Sequence, residues 1–158
     1  MTLPERRSDP VREFLNSVRE AHFDRDRCLR KLQQTASQCV SLTAQVSGTP
    51  SGHGGDSHKD GAWAALADQR SQLEELYERA VRQEMEVESF ISQLGQDVHR
   101  IILRLRYVDL LPWPAVQKRL EKNNIYYSDR QIYRIHGEAL QEARSLWAQL
   151  HQEEGDHT

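Results

Sequence analysis

Arg130, Gln131, Tyr133 and Arg134 fall within five residues of one another and directly follow Ser128. Arginine can hold the edge of guanine with two hydrogen bonds and a glutamine amide can do the same to adenine, so side chains of these types on one helical turn can read bases. Arg130, Gln131, Tyr133 and Arg134 are therefore the candidate base-reading residues. A little earlier come Lys118, Arg119 and Lys122. Their charges, and the Ser128 hydroxyl, suit phosphate oxygens, the contacts that set register on a duplex without reading its sequence. The competing reading is a solvated polar helix face, which arginine-rich helix faces usually are.

No other chemistry assembles with comparable spacing. There is no glycine-rich phosphate loop, no Ser/His/Asp set and no pair of carboxylates in an apolar setting, so the chain is not expected to be an enzyme or to need a cofactor. His53 and His58 lie in a glycine-rich stretch without further ligands at matching spacing, which favours a solvated loop over a metal site. Cys28 and Cys39 show neither metal nor redox spacing and suit a reducing compartment. His136 is expected either in packing or in a polar phosphate contact, Trp113 as a plug between helices, and Tyr126 and Tyr127 as covers of a small core.

These residues need elements to position them. Val98, Ile101, Ile102 and Leu105 predict a short helix from about Gln96 to Val108. Leu110-Leu111-Pro112-Trp113-Pro114 predicts a turn, because each proline biases the residue before it away from the helical region. A second short helix follows with Ala115, Val116 and Leu120 inward, ending at Asn123-Asn124. Ser128 is the expected N-cap of a last helix that runs to about Gln152. The order is that of a helix-turn-helix, whose second helix fits the major groove. Gly137 inside the last helix is unfavourable, which suggests close approach of another helix or of DNA, the alternative being that it is incidental.

The N-terminal half reads differently. Apolar residues recur at three- and four-residue steps from Val11 to Cys39, starting from Asp9 as N-cap and Pro10, and again from Leu66 to Leu94. Two narrow seams of this kind suit coiled-coil helices, interrupted by His22 and Arg25 on the first and by Gln69 and Arg70 on the second. The segment 47–61 holds five of the eight glycines and predicts a flexible linker. The expected organisation is thus all-α: a long helix over 1–46, a linker over 47–61, a second long helix over 62–94, a helix-turn-helix domain over 95–152 and a disordered tail over 153–158. The two long helices form either an intramolecular hairpin or, pairing between chains, a homodimer.

The composition agrees. The chain has 158 residues, 37% hydrophobic and 28% charged, with a net charge of −3, and a mean hydropathy of −0.78. A closed α/β core would need Val/Ile-rich runs that are absent. No apolar run approaches the ~20 residues of a membrane span, and no secretory signal is evident, so a cytoplasmic protein without membrane contact is expected. The charge is segmental: residues 62–94 are net −4 and residues 95–150 net +3.

The segment Leu105 to Leu140 resembles region 4 of bacterial sigma factors, through Leu105-Arg106-Tyr107, Trp113 to Leu120, Ser128, Ile132, Ile135, Ala139 and Leu140. Tyr127 to Leu140 is similar to small phage-encoded, sigma-region-4-like transcription regulators found in prophages of Gram-positive bacteria. The resemblance implies a DNA-binding regulator of late transcription in a bacterial host cell, with a winged-helix-like DNA-binding module. It also implies a second surface that meets RNA polymerase. One departure is that the gap from Glu121 to Tyr127 is several residues longer than the family's turn. Two other functions fit the same elements: a phage DNA-packaging (small terminase-like) recognition subunit, which forms rings, and a structural coiled-coil adaptor, which has no affinity for DNA.

Overall fold

A computed structural model of the chain describes residues 8–47 and 56–155. Every regular element among them is helical. They are α1 (Pro10–Ser47), α2 (Asp56–Ser92), α3 (Asp97–Leu103) continued by a π-helical turn (Arg104–Val108), α4 (Trp113–Lys122) and α5 (Asp129–Gly155). None of these helices is long and apolar enough to cross a membrane.

Three boundaries differ from expectation. α2 already begins at Asp56, so the end of the expected linker, through Gly61, is helical; the residues between α1 and α2, with His53, lie outside the described set, as does the side chain of His58. Helix α5 continues through Gly155 into the expected tail. The largest difference is that the chain divides into two compact units inside α1 and α2 rather than at their ends. One unit joins the chain up to Glu20 with Gln83 onward, and the other is Ala21–Arg82.

The first unit has two cores. In one, Val11, Leu15 and Val18 of α1 meet Val87, Phe90, Ile91 and Leu94 of α2, Leu103 and Tyr107, and Ala139, Leu140 and Ala143 of α5. Phe14, Phe90 and Trp147 pack ring on ring, with centroids 4.9 to 5.8 Å apart. The periodic seams of the long helices therefore serve the C-terminal module at these positions. A seam states that a face is buried, not what buries it. Asp9 caps α1 as expected: its Oδ1 accepts from the Val11 N–H at 3.2 Å and its carbonyl accepts from the Glu13 N–H.

The second core is smaller. It joins Ile102 and Leu105 to Val116 and Leu120 of α4 and Ile132 and Ile135 of α5, with Trp113, Ile125 and Tyr127 against it. The π turn serves both cores. Its wider winding, marked by the Asp109 N–H bonding to the Arg104 carbonyl at 2.9 Å, lets Leu105 enter one core and Tyr107 the other.

In the Ala21–Arg82 unit the buried residues follow a heptad: Ala21, Cys28 and Thr35 on α1, Leu73 and Ala80 on α2. The Thr35 hydroxyl donates to the Lys31 carbonyl at 2.9 Å, which satisfies its burial. Leu29 and Leu76, expected in the seams, are exposed.

Candidate nucleic-acid interface

Helix α4 is delimited by local rules. Pro112, extended, precedes it and Pro114 occupies its first turn, where the missing N–H costs nothing. It ends where Asn124 enters the left-handed region at φ 60°. There the Asn124 N–H reaches back to the Glu121 carbonyl and the Ile125 N–H to that of Leu120, each at 3.0 Å. This closure satisfies the last carbonyls and turns Ile125 into the small core beside Leu120. The long gap of the sequence is thus a six-residue connection, 123–128, and α4 does not gain a turn.

Helix α5 opens on a reciprocal cap. The Ser128 Oγ accepts from the Gln131 N–H at 3.3 Å while the Gln131 Oε1 accepts from the Ser128 N–H at 2.9 Å. Two of the residues singled out for nucleic acid are therefore bonded to each other. Gln131, expected to read a base, is engaged by its own helix terminus, and Ser128 has the same engagement before it can meet a phosphate. The sequence carried this signal, since Ser-x-x-Gln is a capping box.

The remaining side chains stand as follows. With Ile132, Ile135, Ala139 and Leu140 buried, the opposite face of α5 carries Arg130, Arg134 and Gly137, all exposed. Arg134 lies 3.6 Å from Glu138, a solvated pair. Lys118, Arg119 and Lys122 are exposed on α4 around the side away from Val116 and Leu120. Among the described residues these three and Arg130 form no ion pair. Tyr133, half exposed, sets its ring edge-on to Trp113 with centroids 5.1 Å apart. Between α4 and the start of α5 runs a shallow groove lined by Trp113, Pro114, Gln117, Asp129, Ile132 and Tyr133. Gln117 was not singled out by its sequence context; its place three residues after Pro114, on the flank of α4 nearest α5, is what brings it there.

Beneath this surface, aromatic and polar contacts brace the helices. The Arg106 guanidinium lies 5.0 Å over the Trp113 ring and donates to the Leu111 carbonyl at 2.9 Å. His136 is buried, as its packing role required, with Trp113 edge-on at 4.8 Å and Tyr107 stacked at 5.8 Å. Burial, followed by the nearby Arg12 and Arg106 charges, pushes its pKa down from 6.5 to about 4. Its Nε2 shares a hydrogen bond with the Tyr107 hydroxyl at 3.1 Å. Farther along α5, Glu142 accepts from the Gly95 N–H and pairs with buried His99. Burial alone would raise the pKa of Glu142, but these two hydrogen bonds hold it below the ordinary carboxylate value. They fix α5 against the start of α3.

Gly137 is a correction. A Cβ built there meets nothing within 4 Å, so no neighbouring helix requires the glycine. Tyr127 packs on the small core as expected, whereas Tyr126 is exposed and covers nothing. Among the described residues no three His, Cys, Asp or Glu side chains converge as metal ligands. No family model, curated protein or solved structure matches this chain.

Proposed function

We propose that this protein is a sequence-specific DNA-binding transcription regulator whose α4 and α5 act as positioning and recognition helices of a helix-turn-helix. The observation that carries the reading is the exposed cationic face formed by Arg130 and Arg134 on the first turns of α5. Lys118, Arg119 and Lys122, exposed and without an ion pair among the described residues, add charge on α4, and both helices pack on one small core. A single helix fits the major groove and its first turns reach base edges, which is where Arg130, Tyr133 and Arg134 lie. The α4 cations meet the flanking phosphates. Gln131 has a second function, to cap the helix, so arginine carries the base readout and Gln131 joins only by exchanging its cap bond. The open surface at Gly137 suits a helix whose outer face approaches a phosphate backbone closely. The sigma-like segment adds activation of phage late genes and contact with RNA polymerase to this proposal.

The test is selection of preferred duplexes from a random pool by the purified full chain, followed by anisotropy titration at several salt concentrations. A recovered consensus is expected, with affinity for that duplex falling steeply as salt rises. Absence of any salt-dependent duplex binding would leave the structural adaptor as the better account.

A further inference from the structure

Among the described residues of the Ala21–Arg82 unit, the two long helices bury only small side chains and one leucine: Ala21, Cys28, Thr35, Leu73 and Ala80. Considerable apolar surface is left over; exposed Phe23 and Leu76 lie on other sides of their helices, but the rest gathers in one place. Leu32, Thr35, Ala36 and Cys39 of α1 face Trp63, Leu66 and Ala67 of α2 across an open groove of about 510 Å³. On α1, Val40 follows Ala36 by one helical turn and Leu29 precedes it by two, so these exposed residues continue the α1 wall outward as one stripe. On α2, Trp63 and Ala67 are likewise one turn apart and line the same groove, with Trp63 37% exposed. The result is one apolar face contributed by both helices.

We propose that this face binds a second copy of the same chain, making a homodimer through residues 21–82. Charge and size favour that occupant. Residues 21–47 of α1 carry four basic and two acidic side chains, whereas residues 60–82 of α2 carry three basic and five acidic. A two-fold axis through the groove lays the helix of net charge +2 of one copy along the helix of net charge −2 of the other, a pairing that both copies make alike. Two helices of this length side by side present a face about 35–40 Å long and roughly 20 Å wide, on the order of 800 Å² per partner, the size of a standard specific interface. The Arg70–Glu74 pair in the groove, 2.9 Å from nitrogen to oxygen, enters already neutralised.

The experiment is sedimentation equilibrium of the full chain without DNA, from low to high micromolar concentration. The expected species is twice the 18.4 kDa protomer. Val40→Glu and Ala67→Glu place a charge in the face at exposed positions and should each weaken dimerisation at least about tenfold with unchanged helical circular dichroism. Ala65→Glu, exposed on the side of α2 away from the groove residues, should leave the dimer intact. A wild-type chain that stays at 18.4 kDa throughout, or one that forms larger rings, overturns the proposal. So does a dimer indifferent to both Val40→Glu and Ala67→Glu.

Discussion

Asp9 and Arg144, 135 residues apart in sequence, are joined through one oxygen: Asp9 Oδ2 accepts from Arg144 Nε at 2.9 Å and from Nη2 at 2.7 Å. The other carboxylate oxygen caps α1. One side chain thereby starts the first helix and fastens it to the last. The Arg144 hydrogen bonds hold the Asp9 carboxyl below its ordinary range.

The two partners should not cost the same when removed. Arg144→Ala loses a half-exposed ion pair, on the order of 0.5 kcal/mol. Asp9→Ala loses the pair and the cap together, about 1–2 kcal/mol. Urea denaturation of both variants and of the double variant measures this. Equal losses would show that the cap adds nothing.

Gly137→Ala should stabilise the fold by about 0.5–1 kcal/mol, because a helical glycine gives way to alanine in open space. Thermal unfolding checks it, and a lowered midpoint would contradict the open environment. If DNA lies against this face, Gly137→Leu weakens duplex binding while Gly137→Ala changes it less.

Cap and readout can be separated at α5. Gln131→Ala should cost about 0.5–1 kcal/mol of stability, and Gln131→Glu should restore most of it by rebuilding the reciprocal cap. Arg130→Ala and Arg134→Ala should leave stability nearly unchanged, cost about 1–3 kcal/mol against the selected duplex and relax its sequence preference. Lys122→Ala should weaken all duplexes similarly and lower the salt slope by about one. Retention of full affinity and specificity by both arginine variants is the result that would remove α5 as the reading helix.

Stability should fall as pH drops from 6.5 towards 4. In that window the unfolded chain binds a proton at His136 that the folded chain, with its pKa depressed to about 4, refuses. The full effect is roughly 2–3 kcal/mol. Asp9 and Glu142 have depressed carboxyl pKa values, so their contribution is present above the ordinary values of 3.8 and 4.5 and is lost only at lower pH. His136→Phe should flatten the dependence between pH 6.5 and 4 and leave the acid limb. An unchanged slope in urea midpoints across that range would assign the effect elsewhere.

Local rules decided much of this protein before any packing was known. The N-cap at Asp9, the turn through Pro112 and Pro114, the stop at Asn123-Asn124, the start at Ser128 and the inward Val116, Leu120, Ile132, Ile135, Ala139 and Leu140 all follow from backbone preferences and periodicity within a few residues, whereas Ala115, expected inward, is only half-buried. The capping box was equally local, but the same Gln131 also suited an adenine edge, and only the formed hydrogen bonds show which partner it holds in the free protein. Tertiary structure decided what the long seams face. Val11 to Val18 and Val87 to Leu94 belong with α5, while the stretches between them bury little, because periodicity records a buried side without recording its neighbour. It also decided Gly137. A glycine's cost inside a helix is local, but whether another part of the chain approaches it depends on residues distant in sequence, and among the described residues none does.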